Sequence, residues 1–305
     1  MEGELPLELP HAAEGVPDIA VRVRAAPEWA RSPADPARTL VSAIDEDANL
    51  LEVAWTADGN GIRLRYAEGA TFWVSQRLNE IWLDWRAPLT VADAAHFLLE
   101  PVLAFVLRQR GDLVLHASGV AFGGRAAIIC GPAGAGKSTT AGACLLAGAA
   151  MLSDDVLRVT PSDDTWHAHP GTSNCRVWDD GARALVGDAS RAPVFSATWD
   201  KRVVRPAAIG AGVAAEPVPV ALVCILGSRA GGSAPRFDFL SGYEAARGLL
   251  ENASPPWVAD PAVRATELRA IAALAGAVPV ARLLGPDDPG VLRRVASLIR
   301  EAVGG

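Results

Sequence analysis

Residues 125–155 read RAAIICGPAGAGKSTTAGACLLAGAAMLSDD. An apolar run, a glycine-punctuated loop, a short alanine-rich stretch and a second apolar run follow one another and end on two adjacent carboxylates. Gly131, Gly136, Lys137 and Ser138 fill every fixed position of the phosphate-loop pattern G-x-x-x-x-G-K-[ST], between a strand-like and a helix-like segment as that pattern requires. Glycines there let successive N–H groups turn inward around phosphate oxygens, and the start of the helix adds partial positive charge. The spacing predicts a nucleotide cradle made by Gly131, Ala133, Gly134, Ala135, Gly136, Lys137, Ser138 and Thr139, with Lys137 on the outer phosphates and Ser138 on a metal ion. ATP and Mg²⁺ are the expected ligands.

LVLHASGVAF (113–122) and RAAIIC (125–130) predict two strands joined by a hairpin at Gly123-Gly124, the second feeding the glycine loop. A helix over about 138–147 is stopped by Gly148. AAML (149–152) is expected to return as a strand beside the loop's own strand, bringing Asp154 and Asp155 near the last phosphate. On an extended segment these neighbours would point to opposite sides, one to the metal and one to an incoming hydroxyl. The buried run VPVALVCIL (218–226) continues into Gly-Ser-Arg without a carboxylate, so an acid must come from elsewhere; Ser153-Asp154-Asp155 is either that source or an ordinary polar turn. His116, in an otherwise apolar strand, is either a core histidine or a contact to the reacting groups. Arg176, Lys201 and Arg202, like His169, are downstream cations; solvation is their ordinary use, and phosphoryl transfer could draw on one or two of them.

The 305 residues, half hydrophobic and 21% charged, suffice for a sizeable core. Two domains are expected: a β-rich N-terminal lobe over 1–110 that positions the acceptor, and a catalytic domain over 111–305. Within the lobe, 1–37 reads as a loose lead-in. LLEVAW, GIRLRYA, TFWVS and EIWLDW then read as short strands, and 90–111 as one or two helices. Farther on, RFDFL (236–240) predicts a strand, and helices are expected near 242–252, 261–276 and 288–302. A net charge of −7 without a basic run argues against nucleic acid as a partner. Cys130, Cys144, Cys175 and Cys224 match neither a zinc nor a disulfide spacing and read as buried thiols. The acidic start lacks the features of a secretory signal, and no apolar run reaches 18 residues, so a cytoplasmic location and no membrane partner are expected.

LVLHASGVAFGGRAAIICGPAGAGKSTTAGACLLAGAAMLSDDVLRV resembles the catalytic core of HPr kinase/phosphorylase and its relatives, in which a histidine-bearing hairpin precedes the phosphate loop and an Asp-Asp pair follows it. The resemblance is specific over about 113–160, where Lys137 and Asp154 stand 17 positions apart, and weaker over 168–178 and 200–202. It implies an α/β fold: a mixed-sheet P-loop kinase domain of the HPr kinase/PEP carboxykinase-like type with a small N-terminal lobe. It also implies an ATP-dependent serine kinase in which Asp154 is the base on the acceptor hydroxyl, Asp155 a metal or supporting residue, and His116 the active-site histidine. Arg176, Lys201 and Arg202 would contact phosphate or acceptor. The segment NCRVW lacks the glutamate found there in the bifunctional enzymes, and the tail lacks their C-terminal signature, which points away from HPr and from phosphorolysis. "LHAS" before the loop is similar instead to the HPr-kinase-like enzymes of peptide natural-product clusters, which implies a serine of a peptide, a lasso precursor, as acceptor. A small-metabolite kinase and an ATP-gated binding protein are the competing readings.

Overall fold

Period-two alternation decides the first sheet: Ile62, Leu64, Phe72, Val74, Ile81 and Leu83 are fully buried, while Arg65 and Asp84 between them face solvent. The computed structural model describes residues 18–44, 50–196, 199–229, 234–255, 260–285 and 289–304. Contacts divide these into two units, one taking 18–111 and 255–266, the other 112–254 and 267–304.

In the first unit, β1 (Ala20–Val23), β2 (Ala34–Ile44), β3 (Leu50–Thr56), β4 (Gly61–Tyr66), β5 (Ala70–Ser75) and β6 (Glu80–Trp85) form a six-stranded sheet in the order β1-β6-β5-β4-β3-β2. Every pairing is antiparallel except that of β1 with β6. α1 (Val91–Phe97) and α2 (Leu103–Gln109) are joined through a π-turn that contains Pro101, whose missing N–H interrupts the helical ladder. Thr90 opens α1 with a capping box: its N–H reaches Asp93 Oδ2 at 2.7 Å, and Asp93 N–H reaches Thr90 Oγ1 at 3.3 Å. Leu98, Val102, Phe105 and Val106 then close the sheet's buried face. The expected loose lead-in is corrected: its described part, 18–37, supplies β1, a 3₁₀ turn at Glu28–Arg31 and the start of β2. Trp29 ties that stretch down by packing edge-on against Trp82 at 5.7 Å. Residues 1–17 of the lead-in lie outside the described residues.

The second unit is an α/β arrangement of mixed sheets. Its strands are β7 (Leu113–Leu115), β8 (Ala117–Phe122), β9 (Arg125–Cys130), β10 (Ala150–Ser153), β11 (Leu157–Ser162), β12 (Thr165–Ala168), β13 (Cys175–Val177), β14 (Val194–Ser196), β15 (Trp199–Val204), β16 (Val218–Arg229), β17 (Arg236–Leu240) and β18 (Val280–Gly285). The helices are α3 (Lys137–Leu146), α4 (Asp179–Val186), α5 (Gly242–Leu250), α6 (Pro261–Ala277), whose residues from Glu267 onward belong here, and α7 (Leu292–Ala302). The large sheet runs β10-β8-β9-β16; β16 continues to β12, β11 and β7 at its start and to β18 and β17 along the rest. β16 is parallel to β9 and β18, and the other pairings are antiparallel. α3, α4 and α7 pack on one face, and α5 with Ile271 and Leu274 of α6 on the other. Both faces of β9 are therefore covered, which explains its unbroken apolar run: Ala127 and Ile129 point to one layer, Ile128 and Cys130 to the other. β13, β15 and β14 make a separate three-stranded sheet. All four cysteines are free and buried. Among the described residues no helix is long and apolar enough to cross a membrane.

One expectation is corrected here, and one strand was not anticipated. β10 does not lie beside β9, because the Gly123-Gly124 hairpin zips β8 against β9 from Ala117↔Cys130 to Phe122↔Arg125 and fills that place. The chain returning from α3 takes the outer side of β8, parallel to β9 but one strand removed. β18 was not foreseen; it follows α6 and pairs with β16 from Val223↔Val280.

Candidate functional site

The end of β9 is where a phosphate would sit. Beyond Cys130 the backbone turns through Gly131, Gly134 and Gly136 with φ of 152°, 75° and 93°, values that a side chain disfavours. Gly136 is the N-cap of α3 and has no side chain to cap it, so the N–H groups of the first turn remain available to an anion. Ala133 and Gly134 are at the exposed tip; Ala135, Ser138 and Thr139 are half-buried. Lys137 is buried and folds back over the loop, donating from Nζ to Gly131 O at 2.9 Å and Pro132 O at 3.2 Å. Burial lowers its pKa, while Asp155 and then Asp154 hold it up.

The two acids occupy different environments. Asp154 is 1% exposed and is gripped from three directions. Ser118 Oγ of β8 donates to its Oδ1 at 2.6 Å, Arg176 N–H of β13 donates to its Oδ2 at 3.0 Å, and the Ser138 hydroxyl also hydrogen-bonds to it. Its backbone is clamped by Thr172, whose carbonyl accepts the Asp154 N–H at 2.7 Å and whose hydroxyl donates to Asp154 O at 2.5 Å. Burial, reinforced by the charge of Asp155, raises the Asp154 pKa to about 7 against these hydrogen bonds. Asp155, expected on extended chain, instead has φ of 65°. Two bonds span this bend, Val156 N–H to Asp154 O at 2.9 Å and Ser153 Oγ to Val156 O at 2.6 Å, and the loop at Gly171–Thr172 packs against it so closely that a Cβ on Gly171 would lie 2.3 Å from Ser153 Oγ. The Asp155 carboxylate lies 3.7 Å from Arg176 Nη1.

His116 is likewise not inside a strand. It sits at the break between β7, which pairs with β11, and β8, which pairs with β9. Its Nδ1 is 3.1 Å from Asp155 O; a carbonyl only accepts, so Nδ1 carries the proton. Burial, followed by the charge of Lys137, lowers the His116 pKa, and a neutral ring with Nδ1–H presents Nε2 as an acceptor.

The downstream cations separate. Arg176 belongs to the acid pair and also lies over the Phe195 ring at 4.6 Å. Lys201 is close enough to Lys137 and His116 to lower the pKa of each, with its Nζ 5.8 Å from the Trp178 ring centre. Arg202, its neighbour on β15, is engaged by Asp179 Oδ1 at 2.8 Å and Ala192 O at 3.3 Å. It faces the other side of that strand, as adjacent strand residues must, and so does not join the cluster. His169 bonds to Thr160 at 2.7 Å, with burial and Arg158 lowering its pKa. Ser118, Thr172 and Asn252 were not singled out from sequence. Only Ser118, two positions after His116, left a local signal; the others come from distant loops.

The donor set fits a magnesium nucleotide. The described residues contain no cluster of three or more His, Cys, Asp or Glu able to hold a metal ion unaided. Mg²⁺ ordinarily takes one or two protein ligands and completes its shell with phosphate and water. Ser138 and Asp154, already in contact, are the residues that would hold it.

Asp154 also makes the protein's stability sensitive to pH. Its folded-state pKa is raised above the ordinary 3.8, so its contribution to stability is full below about pH 4 and is lost as pH rises through about 7. In metal-free buffer the stability difference, Asp154→Asn minus wild type, should increase by a few kcal/mol between pH 4 and 8. Chemical denaturation across that range measures it, and a flat difference would contradict the buried, raised carboxyl.

No family model matches the chain, and no curated protein matches it. Among solved structures, the HPr(Ser) kinase/phosphatase from Coxiella burnetii is similar at 13% identity and a TM-score of 0.35, over 62% of this chain and 94% of that one. Superposition that loose does not carry roles or substrates from one protein to the other.

Proposed function

We propose that the chain is a magnesium- and ATP-dependent phosphotransferase that moves the γ-phosphoryl group to a serine hydroxyl of a peptide. The observation that carries this reading is the cluster of buried Lys137, Asp154, Asp155 and Arg176 with half-buried His116 at the mouth of an uncapped helix reached through a glycine loop. Binding alone gains nothing from a second carboxylate beside a polyanion, whereas transfer to an alcohol needs a group to take its proton. Asp155 is the better base: both Asp154 oxygens are already hydrogen-bonded and Ser138 reaches that carboxylate as well, which suits Asp154 to the metal side. His116, through Nε2, would help to orient the hydroxyl. Lys137, Arg176 and Lys201 would neutralise charge spreading over the equatorial oxygens. Mg²⁺, when bound, would supply further neutralisation of the phosphates.

The β-rich 1–110 and the P-loop 111–305 are proposed as acceptor-positioning and catalytic parts. The peptide acceptor, a lasso-type precursor, is proposed from the similarity of LHAS (115–118) before the loop to the HPr-kinase-like enzymes of peptide natural-product clusters. Incubation with Mg-ATP and a precursor peptide, followed by mass spectrometry, should show one added phosphate that is lost when the acceptor serine is replaced by alanine. Phosphate appearing on a small metabolite instead, or nucleotide bound with no phosphate transferred, would overturn the peptide-kinase reading.

A further inference from the structure

We propose that Asn252, a residue outside every motif and 121 positions downstream of Gly131, is a positioning residue for the phosphate loop; this rests on the nucleotide-binding part of the functional reading. Its buried side chain bridges two elements. Oδ1 accepts the Gly131 N–H at 2.8 Å, and Nδ2 donates to Gly248 O of α5 at 2.8 Å. Those partners fix the orientation of the amide, since a carbonyl can only accept and an N–H can only donate. The residue's own carbonyl accepts the His116 N–H at 2.7 Å. It is held there by the bridge between Leu115 and Ala253 and by the 3.0 Å bond from Ser254 N–H to Val114 O. One residue therefore sets both the backbone of His116 and the entry of the glycine loop.

The Gly131 peptide needs such a hold. β9 ends at Cys130, so the buried Gly131 N–H has left the sheet ladder, and a buried N–H left unmatched costs about 1–3 kcal/mol. The position admits no side chain in place of the glycine: a Cβ there would lie 3.1 Å from Leu226 Cβ and 3.3 Å from Ala135 Cβ. Its carbonyl is held by Lys137 at 2.9 Å. Lys137 must leave that carbonyl to reach phosphates, and from then on the Asn252 bond holds the entry peptide. Deleting the amide lets that peptide rotate and disperses the N–H groups that should converge on the nucleotide. The main-chain bond to His116 survives the substitution, so the chemical step is spared.

The test compares Asn252→Ala with Leu249→Ala, a core truncation on the same helix, in the full chain. Binding of Mg-ATP is followed by calorimetry, turnover by phosphate transfer and stability by thermal unfolding. Asn252→Ala should raise both the Kd and the KM for nucleotide about tenfold, the effect of one buried hydrogen bond, and leave kcat within about threefold. Leu249→Ala should lower Tm at least as much and leave nucleotide affinity unchanged. Asn252→Ser, too short to span both partners, should shift affinity as the alanine does and covers the case of a poorly folded alanine variant. Unchanged affinity in the Asn252 variants, or an equal loss in Leu249→Ala, overturns the positioning role alone. Failure of the wild-type chain to bind Mg-ATP overturns the functional reading together with it.

Discussion

Lys137→Ala is expected to lower phosphate transfer by about a thousandfold or more while the chain remains folded. Lys137 is the cation nearest the point where phosphates would enter, 6% exposed and tethered to the carbonyls of Gly131 and Pro132. Without it, an incoming polyanion faces Asp154 and Asp155 with only Arg176 and Lys201 to offset them, and both binding and turnover fall. The Pro132 carbonyl it releases borders the exposed loop tip and can take water, which limits the loss of stability. Steady-state transfer and a circular dichroism melt on the same preparation check both halves. Near-normal turnover in this variant would remove the phosphate loop from the chemistry.

Asp155→Asn is expected to lower kcat by about a hundred- to ten-thousandfold with nucleotide affinity nearly kept. The Asp155 carboxylate meets Arg176 only at 3.7 Å, beyond hydrogen-bond length, whereas Asp154 is bound on both oxygens at 2.6 and 3.0 Å. An amide at 155 keeps the shape and cannot take a proton. Asp154→Asn should act differently, raising the Mg²⁺ concentration needed for half-maximal rate. The opposite pattern, with 154 abolishing the chemical step and 155 sparing it, would return the base to Asp154, where the family resemblance had placed it.

The strand–glycine loop–helix unit was legible because its requirements are local: three glycines that turn through positive φ, a strand before and a helix after all lie within about twenty residues. The hairpin before it was legible for the same reason, Gly123 and Gly124 both having positive φ. The unequal environments of the two acids were not. They depend on Ser118 one strand over, on Thr172 in a later loop and on the bend at Asp155, none of which leaves a periodic signal nearby. The place of β10 was misread because a crossover rule gives handedness and leaves open which neighbour a returning strand joins. Arg202 was grouped with Lys201 because adjacency in sequence hides the alternation that sends the two to opposite sides of β15. Asn252 lay beyond reach altogether, since a bond spanning 121 residues is a product of the fold.

The most direct test is a crystal structure of the full chain with Mg²⁺ and a non-hydrolysable ATP analogue. The terminal phosphate should lie within hydrogen-bond reach of Lys137 Nζ, with that nitrogen gone from the Gly131 and Pro132 carbonyls, and the Asp155 carboxylate should face the phosphorus with space for an alcohol between them. A nucleotide bound elsewhere, or one whose last phosphate is walled off from Asp155, would contradict the account.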